Sequence, residues 1–78
     1  MNNPRRKTID KIIASLDDIK NDVTGVGEEE QEYRDNAPEN MMYSEKYERA
    51  EEVAQILEEI SDEIYEIVTR LEEVKEAA

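Results

Sequence analysis

The sequence predicts an all-α protein: an antiparallel, coiled-coil-like helical hairpin that dimerises into a four-helix bundle. Three observations carry this. With Ala50 set at heptad position a, residues 50–78 place Ala50, Leu57, Ile64, Leu71 and Ala78 at a and Val53, Ile60, Ile67 and Val74 at d, all apolar. The same heptad spacing recurs upstream in a register of its own, with Ile9, Leu16 and Val23 at a and Ile12, Ile19 and Val26 at d. Between the two segments lies Asn36-Ala37-Pro38-Glu39-Asn40, a run of turn-forming residues.

The first helix is expected over residues 5–36. Pro4 sits where a helix begins, because its missing N–H is one that a first turn leaves unpaired anyway. Gly25 and Gly27 interrupt the segment, and each costs a helix roughly 1 kcal/mol relative to Ala. Stopping at Thr24 would leave much of the second helix without a partner. Continuing to Asn36, with Glu30 at a and Tyr33 at d, matches the two in length. Residues 37–44 form the turn. The second helix is expected over residues 45–76, with Ser44 as N-cap and Glu45 in the first turn, where the helix dipole favours a carboxylate. Folding about this turn makes facing residue numbers sum to about 80, if the helices rise equally per residue. Gly27 and Val26 then face Val53 and Ala54, Glu30 faces Ala50, and Asp10 faces Arg70.

The chain is one domain of 78 residues with neither Cys nor His. Thiolate nucleophiles, imidazole bases, disulfides and the usual zinc ligands are thereby excluded. A calcium loop starting at Asp22 would put Gly27 correctly at position 6, but Val26 and Tyr33 occupy ligand positions 5 and 12. A phosphate-binding glycine loop fails as well, because three glutamates follow Gly27. No catalytic, cofactor-binding or metal-binding residue is assigned, and the chain is read as non-enzymatic. No apolar run approaches the roughly 20 residues of a membrane span, and the N-terminus lacks a secretory h-region.

Ten basic residues oppose 22 acidic ones, for a net charge of −12. Residues 1–24 carry net +1 and residues 25–78 net −13. Such a field repels nucleic acid and anionic membranes and attracts basic protein surfaces. The basic run Arg5-Arg6-Lys7 falls beside Glu72, Glu73 and Glu76 in the hairpin, which makes it a complement to the chain's own acids. The expected partner-binding face is acidic and lies on the second helix: Glu51, Glu52, Glu58, Glu59, Asp62, Tyr65 and Glu66. Twelve carboxylates fall in residues 45–77, one per about 4 Å of helix, close to the roughly 3.4 Å axial spacing of phosphates along one DNA strand. A second partner-binding patch is expected at the hairpin tip, from Met41, Met42, Tyr43 and Tyr47, residue types common on adaptable interfaces. Ile13, Ile56 and Val68 lie outside the a/d stripe and are expected to form the homodimer contact.

The segment EEEQEYRDNAPEN (residues 28–40) followed by SEKYERAEE (residues 44–52) resembles a group of small acidic helical proteins of bacteriophages and prophages. The resemblance covers about a third of the chain; elsewhere the likeness is one of heptad character. It departs at Met41-Met42-Tyr43, where those proteins are more polar. The resemblance implies an accessory protein in the cytoplasm of a bacterial host. It implies context and no mechanism; the acidic field is what makes a basic host or phage protein the expected partner, with inhibition by imitation of nucleic-acid charge as the expected mode. A purely structural self-association module is the alternative.

Overall fold

The computed structural model describes residues 2–36 and 45–77 and consists there of two helices packed side by side: α1, Asn3–Asp35, and α2, Glu45–Glu76. The particle measures 60 × 15 × 12 Å, two helices across and one thick. The expected turn, Ser44 and the tip residues Met41, Met42 and Tyr43 lie outside the described residues.

Helix α1 begins two residues before the expected start. The Asn2 side chain accepts a hydrogen bond from the Arg5 backbone N–H at 2.9 Å, and Pro4 follows in the first turn. This is N-capping by the residue type best suited to it. The helix then runs unbroken through Gly25 and Gly27, neither of which has positive φ. A methyl placed on Gly27 would meet the Leu57 Cβ at 3.5 Å, whereas one on Gly25 would meet nothing. Gly27 therefore marks the close approach of the two helices, and Gly25 lies outside it.

The hairpin differs from the expected one in two respects. First, the helices are displaced by about one turn. Gly27 packs on Leu57, Thr24 bonds to Ser61, Asp10 to Lys75, and Arg34 approaches Glu51. Facing numbers thus add to 84 or 85, not 80. Asp10 pairs with Lys75 rather than Arg70, and Gly27 faces Leu57 rather than Val53.

Second, the helices meet along a and e, not a and d. The buried or half-buried positions of α1 are Arg6, Ile9, Ile13, Leu16, Lys20, Val23, Gly25, Gly27, Glu30 and Arg34; apart from Gly25 they alternate in steps of three and four. In α2 the same alternation runs Tyr47, Ala50, Ala54, Leu57, Ser61, Ile64, Val68, Leu71 and Lys75, with Ala50, Ala54 and Val68 fully buried. The d row turns outward: Ile12, Ile19, Val26 and Tyr33 on α1, and Ile67 and Val74 on α2, are each 43–51% exposed. Val53 and Ile60 are half-buried.

The assignment of Ile13 and Val68 to a dimer contact is thereby corrected. Val68 is 7% exposed and Ile13 is half-buried, both within the chain's own seam. Ile56 is 53% exposed, as a surface contact requires. The physical reason is the width of the apolar stripe. Positions d, a and e span about 100° of helix circumference, and a single neighbouring helix covers only part of it.

Candidate functional site

Which sides of the hairpin are polar follows from the seam. Positions b and d flank an a/e seam on opposite sides, each about 80° from its centre at 100° per residue. The b row holds Asp10, Asp17, Thr24 and Gln31 on α1 and Glu51, Glu58, Tyr65 and Glu72 on α2. Four polar contacts between the helices each join a b residue to an e residue of the other helix. Lys75 Nζ donates to Asp10 Oδ1 at 2.9 Å, the hydroxyls of Thr24 and Ser61 lie 3.0 Å apart, Arg34 Nη1 stands 3.9 Å from Glu51, and Lys20 Nζ sits 5.2 Å over the Tyr65 ring. The basic side chains at e lay their aliphatic stems along the seam and bring the charge out to the b row.

At the open end, Arg6, Asp10, Lys75 and Glu76 line a shallow cleft, and the Nε of Arg6 is buried there without a hydrogen-bond partner. The hydrogen bond that Lys75 donates to Asp10, then the charge of Asp10, holds the Lys75 ammonium above its ordinary pKa of 10.5, with Glu72 and Glu76 adding to it. The sign follows from linkage: a lysine whose pKa is raised on folding stabilises the fold fully below its unfolded pKa, and that contribution disappears as pH rises through the folded value. The urea midpoint of the wild type is therefore expected to fall more steeply above about pH 10 than that of Lys75→Met. Parallel curves for the two proteins would show that the Asp10–Lys75 clasp adds nothing.

The acidic face expected on α2 is present and extends further than those seven residues. All five c positions of α2 are glutamates: Glu45, Glu52, Glu59, Glu66 and Glu73, each exposed. At seven-residue spacing they recur roughly every 10 Å along the outer side of the helix. Glu51, Glu58 and Asp62 run beside them and are also exposed. Tyr65 stands 61% exposed within this field, with Lys20 on one side of its ring.

A cleft of about 310 Å³ opens on the same side. Its floor exists because Gly27, Ala54 and Ser61 are small, and its rim carries Glu28, Glu58 and Asp62. Glu58 and Asp62 belong to the expected binding face; Glu28 and Gln31 join it from α1 and were not foreseen. Their signal in the sequence was the f position of Glu28 and the b position of Gln31 beside Gly27 at e, which is informative only once the helix offset is known. Tyr47 departs from the expected tip patch: it is half-buried at an e position of the seam.

Among the described residues there is no group of three metal-ligating side chains, and no helix is long and apolar enough to cross a membrane. No protein-family model matches the chain, and searches of curated proteins and of solved structures found no match.

Proposed function

We propose that this chain is a non-enzymatic accessory protein of phage or prophage origin, acting in the bacterial cytoplasm, that binds a basic surface of a host or phage protein in place of nucleic acid. The observation that carries the proposal is the unbroken c row of five glutamates on α2 beside the Glu28–Glu58–Asp62 cleft. The row offers regularly spaced negative charge on a rigid rod. The cleft is large enough for one Lys or Arg side chain to enter between carboxylates, a charge-assisted contact. Glu51 shares its charge with Arg34, so the exposed c row and the cleft rim supply the stronger field.

The immobilised protein is expected to retain a basic protein from bacterial lysate at physiological salt and to release it to competing duplex DNA. Reversing Glu52, Glu59 and Glu66 to Lys is expected to weaken retention by more than about tenfold, which corresponds to roughly 1.4 kcal/mol. Retention indifferent to both DNA and charge reversal would refute the proposal. The exposed d row favours a second reading, a self-association module with no inhibitory role. That reading is supported if the triple reversal leaves self-association intact while no basic protein is ever retained.

A further inference from the structure

All eight d positions from Ile12 to Tyr33 and from Val53 to Val74 are apolar, and six of them are 43–51% exposed. Because the four polar contacts described above lie on the b side, and the d residues are the more exposed ones, the d rows of α1 and α2 share the opposite face of the hairpin. Ile56, at the neighbouring g position, widens that face. We propose that a second copy of this chain covers it, antiparallel to the first, with α1 lying on α1, α2 on α2, and the two turns at opposite ends of a four-helix bundle.

The helical stripe is the first argument. Position a lies between d and e on the wheel. With e packed within the hairpin and d packed on another copy, the a row points to the axis of a bundle, the arrangement that fills a four-helix core.

Self-complementarity is the second. The d row of α1 is centred between Ile19 and Val26, and that of α2 between Ile60 and Ile67. Thr24 bonds to Ser61, so the two centres stand at nearly the same height. One two-fold axis therefore matches both rows at once. It sets Ile19 of one copy on Val26 of the other and Ile60 on Ile67, with Ile12 on Tyr33 and Val53 on Val74 beyond them. An isologous interface of this kind requires a single patch to be its own complement.

Area is the third. The rows run about 30 Å along two helices 8–10 Å apart. That footprint is on the order of 600 Å² per copy before its flanks are counted, close to the roughly 800 Å² per partner of a stable interface.

Charge sets the direction. The turn end, residues 28–35 and 45–52, carries nine carboxylates and three basic side chains. The open end, residues 3–11 and 70–77, carries six basic side chains and four carboxylates. Stacking the copies in parallel would press two acidic ends together within a Debye length of about 8 Å. Antiparallel stacking puts Arg5, Arg6, Lys7 and Lys11 of each copy beside the acidic end of the other.

The chain has no cysteine, so a spin label at Glu45→Cys reports one position per copy. Sedimentation equilibrium at high-micromolar concentration in physiological salt is expected to give twice the chain mass. Pulsed electron paramagnetic resonance is expected to place the two labels roughly 50 Å apart. Ile19→Lys combined with Ile67→Lys is expected to weaken the dimer by more than about 100-fold. Tyr65→Gln, on the opposite side, leaves the mass unchanged, and so does the Glu52, Glu59, Glu66 reversal, which separates the bundle from partner binding. A monomer, a label distance under about 25 Å, or an undiminished dimer in the double variant each overturns the proposal. Wild-type mass and label distance do not depend on the double variant retaining its helices.

Discussion

Val68→Asp is expected to destabilise the protein by about 3 kcal/mol or more, the cost of burying a charge without a partner. Val68 is 7% exposed, and in the observed offset it faces Leu16. An aspartate there removes an aliphatic contact and puts a short carboxylate into the seam, where it cannot extend to water as the long Lys20 and Lys75 stems do. A fold of this length has a total stability of roughly 4–12 kcal/mol, so the loss is a large share of it. Urea titration followed by circular dichroism measures it. The result also separates the two seams. In an a/d seam Val68 would face solvent and the change would cost under about 0.5 kcal/mol, as surface substitutions do. A loss that small would refute the a/e seam.

That seam was the part of the fold hardest to read from residues alone, and the reason is visible in the rows themselves. Helical character was legible: apolar residues recur with heptad spacing on both sides of Pro38, and Pro4 bounds the first segment. The continuity of α1 through Gly25 and Gly27 was legible from the need to match α2 in length. The choice between d and e was not. The d row is apolar from Ile12 to Tyr33 and from Val53 to Val74, whereas the e row includes Lys20, Arg34, Ser61 and Lys75. Ranking by hydrophobicity therefore selects d. What favours e within one chain is closeness and pairing: Gly27 against Leu57, buried Ala54, and basic e residues reaching b carboxylates at Asp10 and Glu51. These depend on a helix offset that turn length alone does not fix.

The acidic face was more legible than the seam because it needs no partner helix to define it. Glu52, Glu59 and Glu66 are exposed whichever of d or e is inside, since position c lies far from both. The cleft was illegible for the opposite reason. Glu28 comes from one helix and Glu58 and Asp62 from the other, and the offset of about one turn decides whether they meet. Ile13 and Val68 illustrate the same dependence. Both were surplus to an a/d stripe, and both became seam residues once e replaced d.

The helix through the two glycines leads to a change in the opposite direction, a gain in stability. Gly25→Ala combined with Gly27→Ala is expected to stabilise by up to about 2 kcal/mol, since each glycine costs a helix interior roughly 1 kcal/mol relative to alanine. Neither glycine needs its freedom, as neither has positive φ. A methyl on Gly25 meets nothing within 4 Å. One on Gly27 meets Leu57 Cβ at 3.5 Å, an ordinary van der Waals contact that adds to the seam. For a chain of this size each kcal/mol moves the melting temperature by about 4–8 °C, so the pair is expected to melt roughly 10 °C higher at equal protein concentration. Gly27→Leu is the contrasting change. Its extra methylenes enter the same contact and force the helices apart, at a cost of about 1–3 kcal/mol. Differential scanning calorimetry of the three proteins decides the matter. If the alanine pair melts below the wild type, α1 is not a continuous helix across residues 25–27, and the close approach of Gly27 to Leu57 is wrong with it.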